Sequence, residues 1–314
     1  MDSICQLIHY VENRTFIIPA LLWLLLFASS CGQKETVYDP SLIRFHLYGN
    51  GEPVFVLSGG PGNDCHQEED VAMKIGEHYM AILLEQRGTG LSMPPELNKE
   101  TINLEAYIKD LLFVMDSLKI NAAKFYGHSW GAMLATYFAT KYPEKVSALI
   151  LTGPGYLKLD KSYQNKIFAN RMRKLSPEQR IRFDELSKID QQKLSIQEQN
   201  EISFLGTVFN TFDTTNWDWK YKKIQTKKNT NTNLLITEDL ERVKFDITDK
   251  VGQLNMPITL ITCKEDPLAF LTDEYIKFAP KSKVKWLDKC GHFPMYEKPQ
   301  RFYSSLTEAL SNLK

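Results

Sequence analysis

Short, continuous apolar runs alternate with longer amphipathic stretches along this chain. Continuous apolar runs are typical of strands buried on both faces, because such strands have no solvent-facing side for polar residues. We predict strands over residues 45–48, 54–57, 80–84, 122–126, 148–151, 258–262 and 284–287. After Asn103, a capping residue, apolar residues at helical spacing up to Leu118 predict a helix with one apolar face. Strands and helices in alternation predict an α/β fold with a mostly parallel sheet flanked by helices.

The first two predicted strands are separated by Gly49-Asn50-Gly51. Such a sequence favours the tight turn of a β-hairpin, because its residues tolerate positive φ. We therefore expect these two strands to be joined by a tight turn, as in a hairpin.

Residues 156–245 interrupt the alternation of strands and helices. This stretch is richer in Lys, Gln, Asn and Glu, and its clearest signals are helical. Ser176-Pro177-Glu178-Gln179 and Ser195-Ile196-Gln197-Glu198 both predict capped helix starts. We predict a helical cap domain over residues 156–245, inserted into a core formed by residues 41–155 and 246–314.

One motif lies where the fourth predicted strand meets the next helical stretch. Gly127-His128-Ser129-Trp130-Gly131 has the form Gly-x-Ser-x-Gly, and a preceding strand with a following helix is the context of a nucleophile elbow. The serine of such an elbow lies in a strained turn, where a Cβ at either glycine would crowd the neighbouring strand and helix. We predict that Ser129 is a catalytic nucleophile.

Two further residues complete a Ser-Asp-His order along the chain. Asp266 follows the sixth predicted strand, and His292 follows the seventh. A serine hydroxyl needs an imidazole to accept its proton, and a carboxylate to orient that imidazole and stabilise its cation. Glu265 is an alternative acid, but we favour Asp266 because Pro267 directly after it helps to end the strand and fix the turn. We therefore predict a triad of Ser129, His292 and Asp266.

The glycine-rich segment Ser58-Gly59-Gly60-Pro61-Gly62 follows the second predicted strand. Acyl transfer needs two backbone N–H groups directed at the oxyanion that develops on the carbonyl. We predict that Gly60 supplies one, since Pro61 has no N–H, and that Trp130 supplies the other. Alone, the segment could be a turn that only reverses the chain; beside a triad, we interpret it as part of an oxyanion hole.

Four motifs follow one another along the chain, namely Gly59-Gly60-Pro61-Gly62, Glu85-Gln86-Arg87-Gly88-Thr89-Gly90-Leu91-Ser92, Gly127-His128-Ser129-Trp130-Gly131 and Gly291-His292-Phe293-Pro294. Together they resemble the prolyl aminopeptidase family of α/β-hydrolases, which includes the iminopeptidases and the tricorn-interacting-factor-like enzymes. The resemblance extends from about Phe45 to the C-terminus and is weakest between Tyr156 and Phe245. It implies an α/β-hydrolase that releases N-terminal proline or small residues from peptides.

Three positions depart from the family's pattern. Glu85 stands where the family usually has Asp, and His128 stands where it often has a second glycine. The resemblance also implies acidic cap residues that bind the substrate's amino group, yet Asn233-Leu234-Leu235 occupies a segment where one is expected. A carboxylate is needed there, because an unpaired ammonium in a closed pocket is costly.

Candidate ligands for that ammonium are Glu201, Asp213, Asp218 and Glu238. We rank Glu201 first, because it follows a helix start and precedes apolar residues, so that it could border a pocket. The alternative is that each is an ordinary solvated charge, since helical glutamates usually lie at the surface.

Residues 1–31 carry the features of an export signal. Residues 16–28 are nearly all apolar but too few to span a bilayer comfortably, as in the core of a secretory signal peptide. Ala28-Ser29-Ser30-Cys31 then resembles the cleavage box of a bacterial lipoprotein, in which the cysteine becomes the lipidated N-terminus. A signal peptide cut elsewhere and a retained anchor are alternatives. We expect an exported lipoprotein, anchored to a membrane of the cell envelope through Cys31, with residues 32–40 as its tether.

Charge and cysteine content narrow the partners. The chain has 314 residues with 38 basic and 38 acidic side chains, so it lacks the basic excess of a nucleic-acid-binding surface. We interpret the lysines between residues 220 and 228 as a solvated face, and an anion-binding patch is the alternative. Outside the export segment, Cys65, Cys263 and Cys290 show no metal-ligand spacing. Cys263 and Cys290 could form a disulfide in an oxidising compartment, but we expect two buried free thiols.

These observations predict a serine hydrolase that needs no metal and no organic cofactor. We expect an aminopeptidase acting on a small peptide or aminoacyl substrate. A carboxylesterase acting on small acyl esters is the alternative, and a non-catalytic binding protein on the same fold is a third.

Overall fold

The computed structural model describes residues 42–190, 193–214 and 228–311. Within these ranges one sheet of seven strands has the spatial order β1-β3-β2-β4-β5-β6-β7. The pairing of β1 with β3 is antiparallel, and the other pairings are parallel. The strands are β1 Arg44–Tyr48, β2 Pro53–Leu57, β3 Met80–Glu85, β4 Ala123–His128, β5 Val146–Thr152, β6 Ile258–Cys263 and β7 Lys283–Leu287. The prediction of a mostly parallel α/β sheet is confirmed.

Apolar cores lie on both faces of this sheet. Phe55 and Leu57 of β2 belong to one core, and Val54 and Val56 belong to the other, because successive side chains of a strand point to opposite faces. The helices of the described ranges are α1 Glu69–Gly76, α2 Leu104–Ser117, α3 Trp130–Lys141, α4 Lys161–Met172, α5 Pro177–Ser187, α6 Ile196–Asn210, α7 Thr230–Arg242, α8 Thr248–Val251, α9 Phe270–Phe278, α10 Pro294–Glu297 and α11 Pro299–Ser311.

The predicted tight turn between the first two strands is confirmed, but the two strands do not pair with each other. Gly49 and Gly51 do adopt positive φ angles of 70° and 109°, so the turn forms. However, β3 lies between β1 and β2 and pairs with both. Five of the six residues of β3 are buried, whereas β1 buries none completely. The interior position therefore goes to the strand that is apolar on both faces, and the half-exposed β1 lies at the edge.

Helices α4–α7 lie between β5 and β6 in the chain, and we refer to them as the cap. Ser176 and Ser195 each form the predicted capping box, with Gln179 and Glu198 as their partners. An isolated antiparallel bridge between Lys158 and Asp246 joins the two ends of this insertion. The chain thus leaves the core and returns to it at neighbouring points.

The expectation of free thiols at Cys263 and Cys290 is wrong, because these residues form a disulfide. Cys263 ends β6 and pairs in register with Leu287 of β7, which brings the residues after β7 within reach. The Cα atoms of the two cysteines are 5.4 Å apart. Because β6 and β7 are neighbours in the sheet, the short loop after β7 brings Cys290 to Cys263.

The predicted signal peptide, tether and Cys31 lie outside the described residues. Within the described ranges, no helix has the length and apolar character needed to cross a bilayer.

Candidate active site

The predicted elbow is formed at the carboxyl end of β4. Ser129 has φ 55° and ψ −114°, a conformation that costs energy for a residue with a side chain and marks functional turns. A Cβ on Gly127 would collide with the backbone of Gly131, and a Cβ on Gly131 would collide with the backbone of Leu57. Glycine at both positions is therefore required for α3 to start so close to the sheet.

His292 and Asp266 meet at the neighbouring carboxyl ends of β6 and β7. His292 Nδ1 lies 2.8 Å from Asp266 Oδ2, and the two side chains are 6% and 1% exposed. The other oxygen of Asp266 accepts the Leu268 N–H at 2.8 Å. Glu265 Oε2 instead approaches the backbone N–H of Cys290 at 3.4 Å. Of the two acids considered, Asp266 is thus the one that the fold brings to His292.

Burial and pairing set the charge states of these two groups. Burial lowers the pKa of His292 below its ordinary value, although the Asp266 carboxylate acts in the opposite direction. Burial would raise the pKa of Asp266, but the interactions with His292 and the Leu268 N–H outweigh it and hold that pKa below its usual range. A neutral imidazole that donates Nδ1–H to a carboxylate has Nε2 available to accept a proton, as a general base must.

His128, directly before Ser129, connects the elbow to the His292 loop. Its Nε2 donates to the backbone carbonyl of His292 at 2.8 Å, and the two rings are 4.9 Å apart. Its Nδ1 lies 2.9 Å from Glu68 Oε1, close enough for an ion pair but outside hydrogen-bond alignment. Burial would lower the pKa of His128, but Glu68 raises it above its ordinary value. The sequence marked His128 only as a departure from a family pattern, because Glu68 is remote along the chain.

Gln86 connects the start of the glycine-rich loop to Trp130. Its Nε2 donates to the backbone oxygen of Ser58 at 2.8 Å, and its Oε1 accepts from Trp130 Nε1 at 2.8 Å. Gly60 has φ 127°, a conformation that favours glycine. A Cβ on Gly59 would lie 3.4 Å from the Cβ of Ser129, so the glycine-rich loop passes beside the elbow. The fold thus brings this loop, Trp130 and Ser129 together.

Glu201 is not placed as its prediction required. Arg182 binds its carboxylate with Nε at 3.0 Å and Nη2 at 2.8 Å, and both side chains are more than a third exposed. The contact between α6 and the His292 loop is instead made at the other end of the helix, where the backbone carbonyl of Asn210 accepts the His292 N–H at 2.6 Å. Asn210 is nine positions after Glu201 in α6, which is roughly 13 Å along a helix axis. The ranking of Glu201 as the first ammonium ligand is therefore corrected.

The other predicted ammonium ligands are also dispersed. Glu238 pairs with Lys99 at 3.1 Å on the surface, and Asp218 lies outside the described residues. The backbone N–H of Asp213 lies 3.4 Å from Glu297 Oε2, while Glu297 Oε1 accepts the N–H of Gly291 at 2.7 Å. Among the described candidates, Asp213 is thus the one connected to the His292 loop.

One group of described residues has metal-ligand chemistry. His46, Cys65 and Glu85 bring one potential ligand atom each within 4.8 Å of one another. Their atoms already have other roles, since His46 Nε2 lies 2.8 Å from Glu85 Oε1 and Glu85 Oε2 accepts the Leu91 N–H at 2.6 Å. Burial raises the pKa of the Cys65 thiol to about 12, which favours the protonated form over a metal-binding thiolate. We interpret the group as a hydrogen-bonded cluster.

Comparison with known proteins agrees with this geometry. The model of the alpha/beta hydrolase fold matches residues 52–299, and the chain belongs to that family. A proline iminopeptidase of Heyndrickxia coagulans is 24% identical over 282 residues, which cover 87% of this chain and 95% of that protein. A proline iminopeptidase of Xylella fastidiosa is 35% identical over 121 residues, which cover 37% of either chain. The resemblance found in the motifs is thereby confirmed.

Solved structures show the same fold. An alpha/beta fold family hydrolase from Bacillus anthracis has a TM-score of 0.67 and 19% identity, covering 85% of this chain and 95% of that one. At such identity the likeness concerns the fold, and the chemistry has to be argued from the residues described above.

Proposed function

We propose that this protein is a serine hydrolase that forms an acyl-enzyme on Ser129. The observation that carries the proposal is the buried hydrogen bond between His292 Nδ1 and Asp266 Oδ2 beside the strained elbow. The Ser129 hydroxyl attacks a carbonyl carbon while His292 Nε2 accepts its proton. The backbone N–H groups of Gly60 and Trp130 stabilise the oxyanion. His292 then protonates the leaving group, and a water deprotonated by His292 releases the acyl group.

We further propose that the carbonyl belongs to a peptide with a free N-terminus and a small or proline-like first residue. The likeness to two proline iminopeptidases, one of them along most of the chain, supports this substrate class. Asp213 is our candidate for the substrate ammonium, because it lies next to Glu297 and thereby to the His292 loop. The carboxylesterase alternative is favoured by the ion pairing of Glu201 and Glu238 with surface cations.

Labelling by a fluorophosphonate and turnover of two chromogenic substrates test both proposals. Ser129→Ala should abolish labelling and lower turnover by about 10⁶, the usual cost of losing the nucleophile of a triad. Labelling and activity that survive in Ser129→Ala would contradict the mechanism. Proline 4-nitroanilide and 4-nitrophenyl acetate then separate peptidase from esterase. Asp213→Asn should impair hydrolysis of the anilide more than that of the acetate, whereas Glu201→Gln, the control, should not.

We propose that the protein is exported and lipidated at Cys31. The Cys263–Cys290 disulfide supports an oxidising compartment, since disulfides are rare where thiols are kept reduced. One acyl chain binds a membrane only marginally, but a lipoprotein-type anchor with several chains holds firmly. Cys31→Ala should therefore release the protein from the membrane fraction. A wild-type protein that is already soluble after cell breakage would contradict this proposal.

A further inference from the structure

Arg171 lies on the cap side of the predicted triad. Its Nε donates to Asn210 Oδ1 at 3.2 Å, and the carbonyl of the same Asn210 accepts the His292 N–H at 2.6 Å. The preceding residue, Asn170, donates from Nδ2 to the Pro267 carbonyl at 2.9 Å, directly after Asp266. Helix α4 is thus fixed to the loops of both the acid and the base.

The charge of Arg171 is only partly compensated. Its guanidinium lies 5.1 Å from the ring centre of Phe209, and burial lowers its pKa from the ordinary value. Asp266 attracts it electrostatically, but the two oxygens of that carboxylate already bind His292 Nδ1 and the Leu268 N–H. Among the described residues, no carboxylate forms an ion pair with Arg171. A partly buried guanidinium without such a partner is costly, and so favours binding of an anion.

A second cation, Lys228, adjoins the loop that follows β2. Lys228 forms an isolated antiparallel bridge with Asn63, and the N–H of the next residue, Asn229, donates to the Gly62 carbonyl at 2.7 Å. Lys228 therefore adjoins the glycine-rich loop that holds Gly60. Its side chain is solvent-exposed, yet the surrounding protein lowers its pKa and the charge of Arg171 lowers it further. Lys228 thus lies beside the glycine-rich loop and within electrostatic range of Arg171.

A purely structural role accounts for these cations less well. An arginine that only links the cap to the core is expected to donate several guanidinium hydrogen bonds to carboxylates or carbonyls. Arg171 instead donates from Nε to a single amide oxygen. The charge of Arg171 lowers the pKa of Lys228, which shows that the two cations repel each other before an anion binds. Such an arrangement is typical of a site that is neutralised by its ligand.

We propose that Arg171 and Lys228 bind a carboxylate of the substrate, so that the enzyme selects acyl compounds that carry one. This inference rests on the serine hydrolase function proposed above. The carboxylate belongs either to the leaving group, as in a dipeptide with a free C-terminus, or to the acyl group, as in a monoester of a dicarboxylic acid. Both sources present the same planar anion, which matches the fork of a guanidinium.

Two matched substrate pairs distinguish the sources. Prolyl-glycine against prolyl-glycinamide places the charge on the leaving group, and 4-nitrophenyl hemisuccinate against 4-nitrophenyl butyrate places it on the acyl group. In at least one pair, the wild-type protein should give the higher kcat/KM for the charged member. Arg171→Gln should lower the charged-to-neutral ratio about 10- to 100-fold, as expected for loss of a hydrogen bond to a charged group. Lys228→Gln should lower it less, because the lysine is more exposed.

Arg173→Gln is the matched control, since Arg173 is exposed on the same helix region and its loss changes the net charge equally. It should leave the ratio of each pair unchanged. Calorimetric titration of the Ser129→Ala protein with prolyl-glycine, succinate and their neutral amides measures binding without turnover. The charged ligands should bind more tightly, and Arg171→Gln in that background should remove the difference.

Equal rates and equal binding for charged and neutral members would overturn the anion site. An equal loss of preference in Arg171→Gln and Arg173→Gln would overturn it as well, because the effect would then be one of net charge. Failure of a fluorophosphonate to label wild-type Ser129 would instead contradict the serine hydrolase proposal, and calorimetry would still decide on the carboxylate site.

Discussion

The central sheet and the cap are built in different ways. Every residue of β4 and β6 is buried, and the elbow and the acid loop begin where these strands end. In the cap, α4 buries only Ile167 and α5 buries only Leu186. The polar contacts in these helices include the surface ion pair of Arg182 with Glu201 and the capping boxes at Ser176 and Ser195. The predicted chemistry therefore lies at the end of the fully buried strands, whereas Arg171 lies on a cap helix with a single buried residue.

The difference in burial between sheet and cap predicts where substitutions change activity and where they change selectivity. Regions with few buried apolar contacts open at a lower free-energy cost than a core does. A substitution in the loops after β4 and β6 should thus act on the chemical step, whereas one in the cap should act on which substrate is bound. The following predictions test this division.

Within the loops after β6 and β7, the largest expected effect is at the acid. Asp266→Asn should lower kcat by about 10⁴, because the imidazole loses the carboxylate that selects its tautomer and stabilises its cation. Glu265→Gln, one residue away, should have a small effect, since Glu265 contacts the backbone N–H of Cys290 and not His292. Steady-state kinetics with any substrate that the wild-type protein hydrolyses measure kcat for both variants. A greater loss in Glu265→Gln than in Asp266→Asn would reverse the assignment.

A smaller effect is expected on stability. Phe138 is fully buried in the core around β4, and Phe138→Ala should lower the free energy of unfolding by about 3–5 kcal/mol through the cavity it leaves. Leu205 belongs to a small cap cluster with Leu175, Val208 and Phe209. Leu205→Ala should mainly increase proteolytic cleavage within the cap, with little change in the global transition. Equal losses in denaturant unfolding would show that core and cap unfold as one unit.

The pH dependence of kcat/KM should reflect His292. Only its neutral form accepts the serine proton, and burial lowers its pKa, so activity should be retained somewhat below about pH 6.5, the ordinary value for histidine. Asp266 raises that pKa, so Asp266→Asn should move the acid limb to lower pH. The charges of His128 and Arg171 lower it. The double variant Glu68→Gln/His128→Gln should therefore move the acid limb to higher pH. If this variant and Asp266→Asn shifted the limb in the same direction, the assignment of the limb to His292 would be contradicted.

The smallest effect is expected at a helix end in the cap. Ser195 accepts the Glu198 N–H at 3.3 Å, and the Glu198 side chain accepts the Ser195 N–H at 2.9 Å. Ser195→Ala should lower cap stability by about 1 kcal/mol, the usual value of an N-cap. Ser203→Ala, an exposed position inside the same helix, is the control and should cost nothing. Hydrogen exchange of the first turn of α6 measures both variants.

Much of the site could be predicted because its motifs depend on local geometry. The glycines on both sides of Ser129 are required by the tight passage from β4 to α3, so they appear together in the sequence. Asp266 and His292 follow recognisable strands, and parallel strands end at one edge of a sheet. The capping boxes at Ser176 and Ser195 were equally readable, because each involves residues only three positions apart.

Other features depend on contacts between residues that are far apart in the chain, and such contacts follow from the packing of the elements. Glu68 meets His128, Gln86 connects Ser58 to Trp130, and Arg171 meets Asn210 through packing of separate elements. The insertion of β3 between β1 and β2, the disulfide in place of free thiols and the ion pair of Glu201 have the same cause. Hydrophobic patterning records which face of an element is buried, but it does not record which element covers that face. The sequence by itself thus determined the fold class and the candidate nucleophile, acid and base, and the fold decided how these groups are held and which charges surround them.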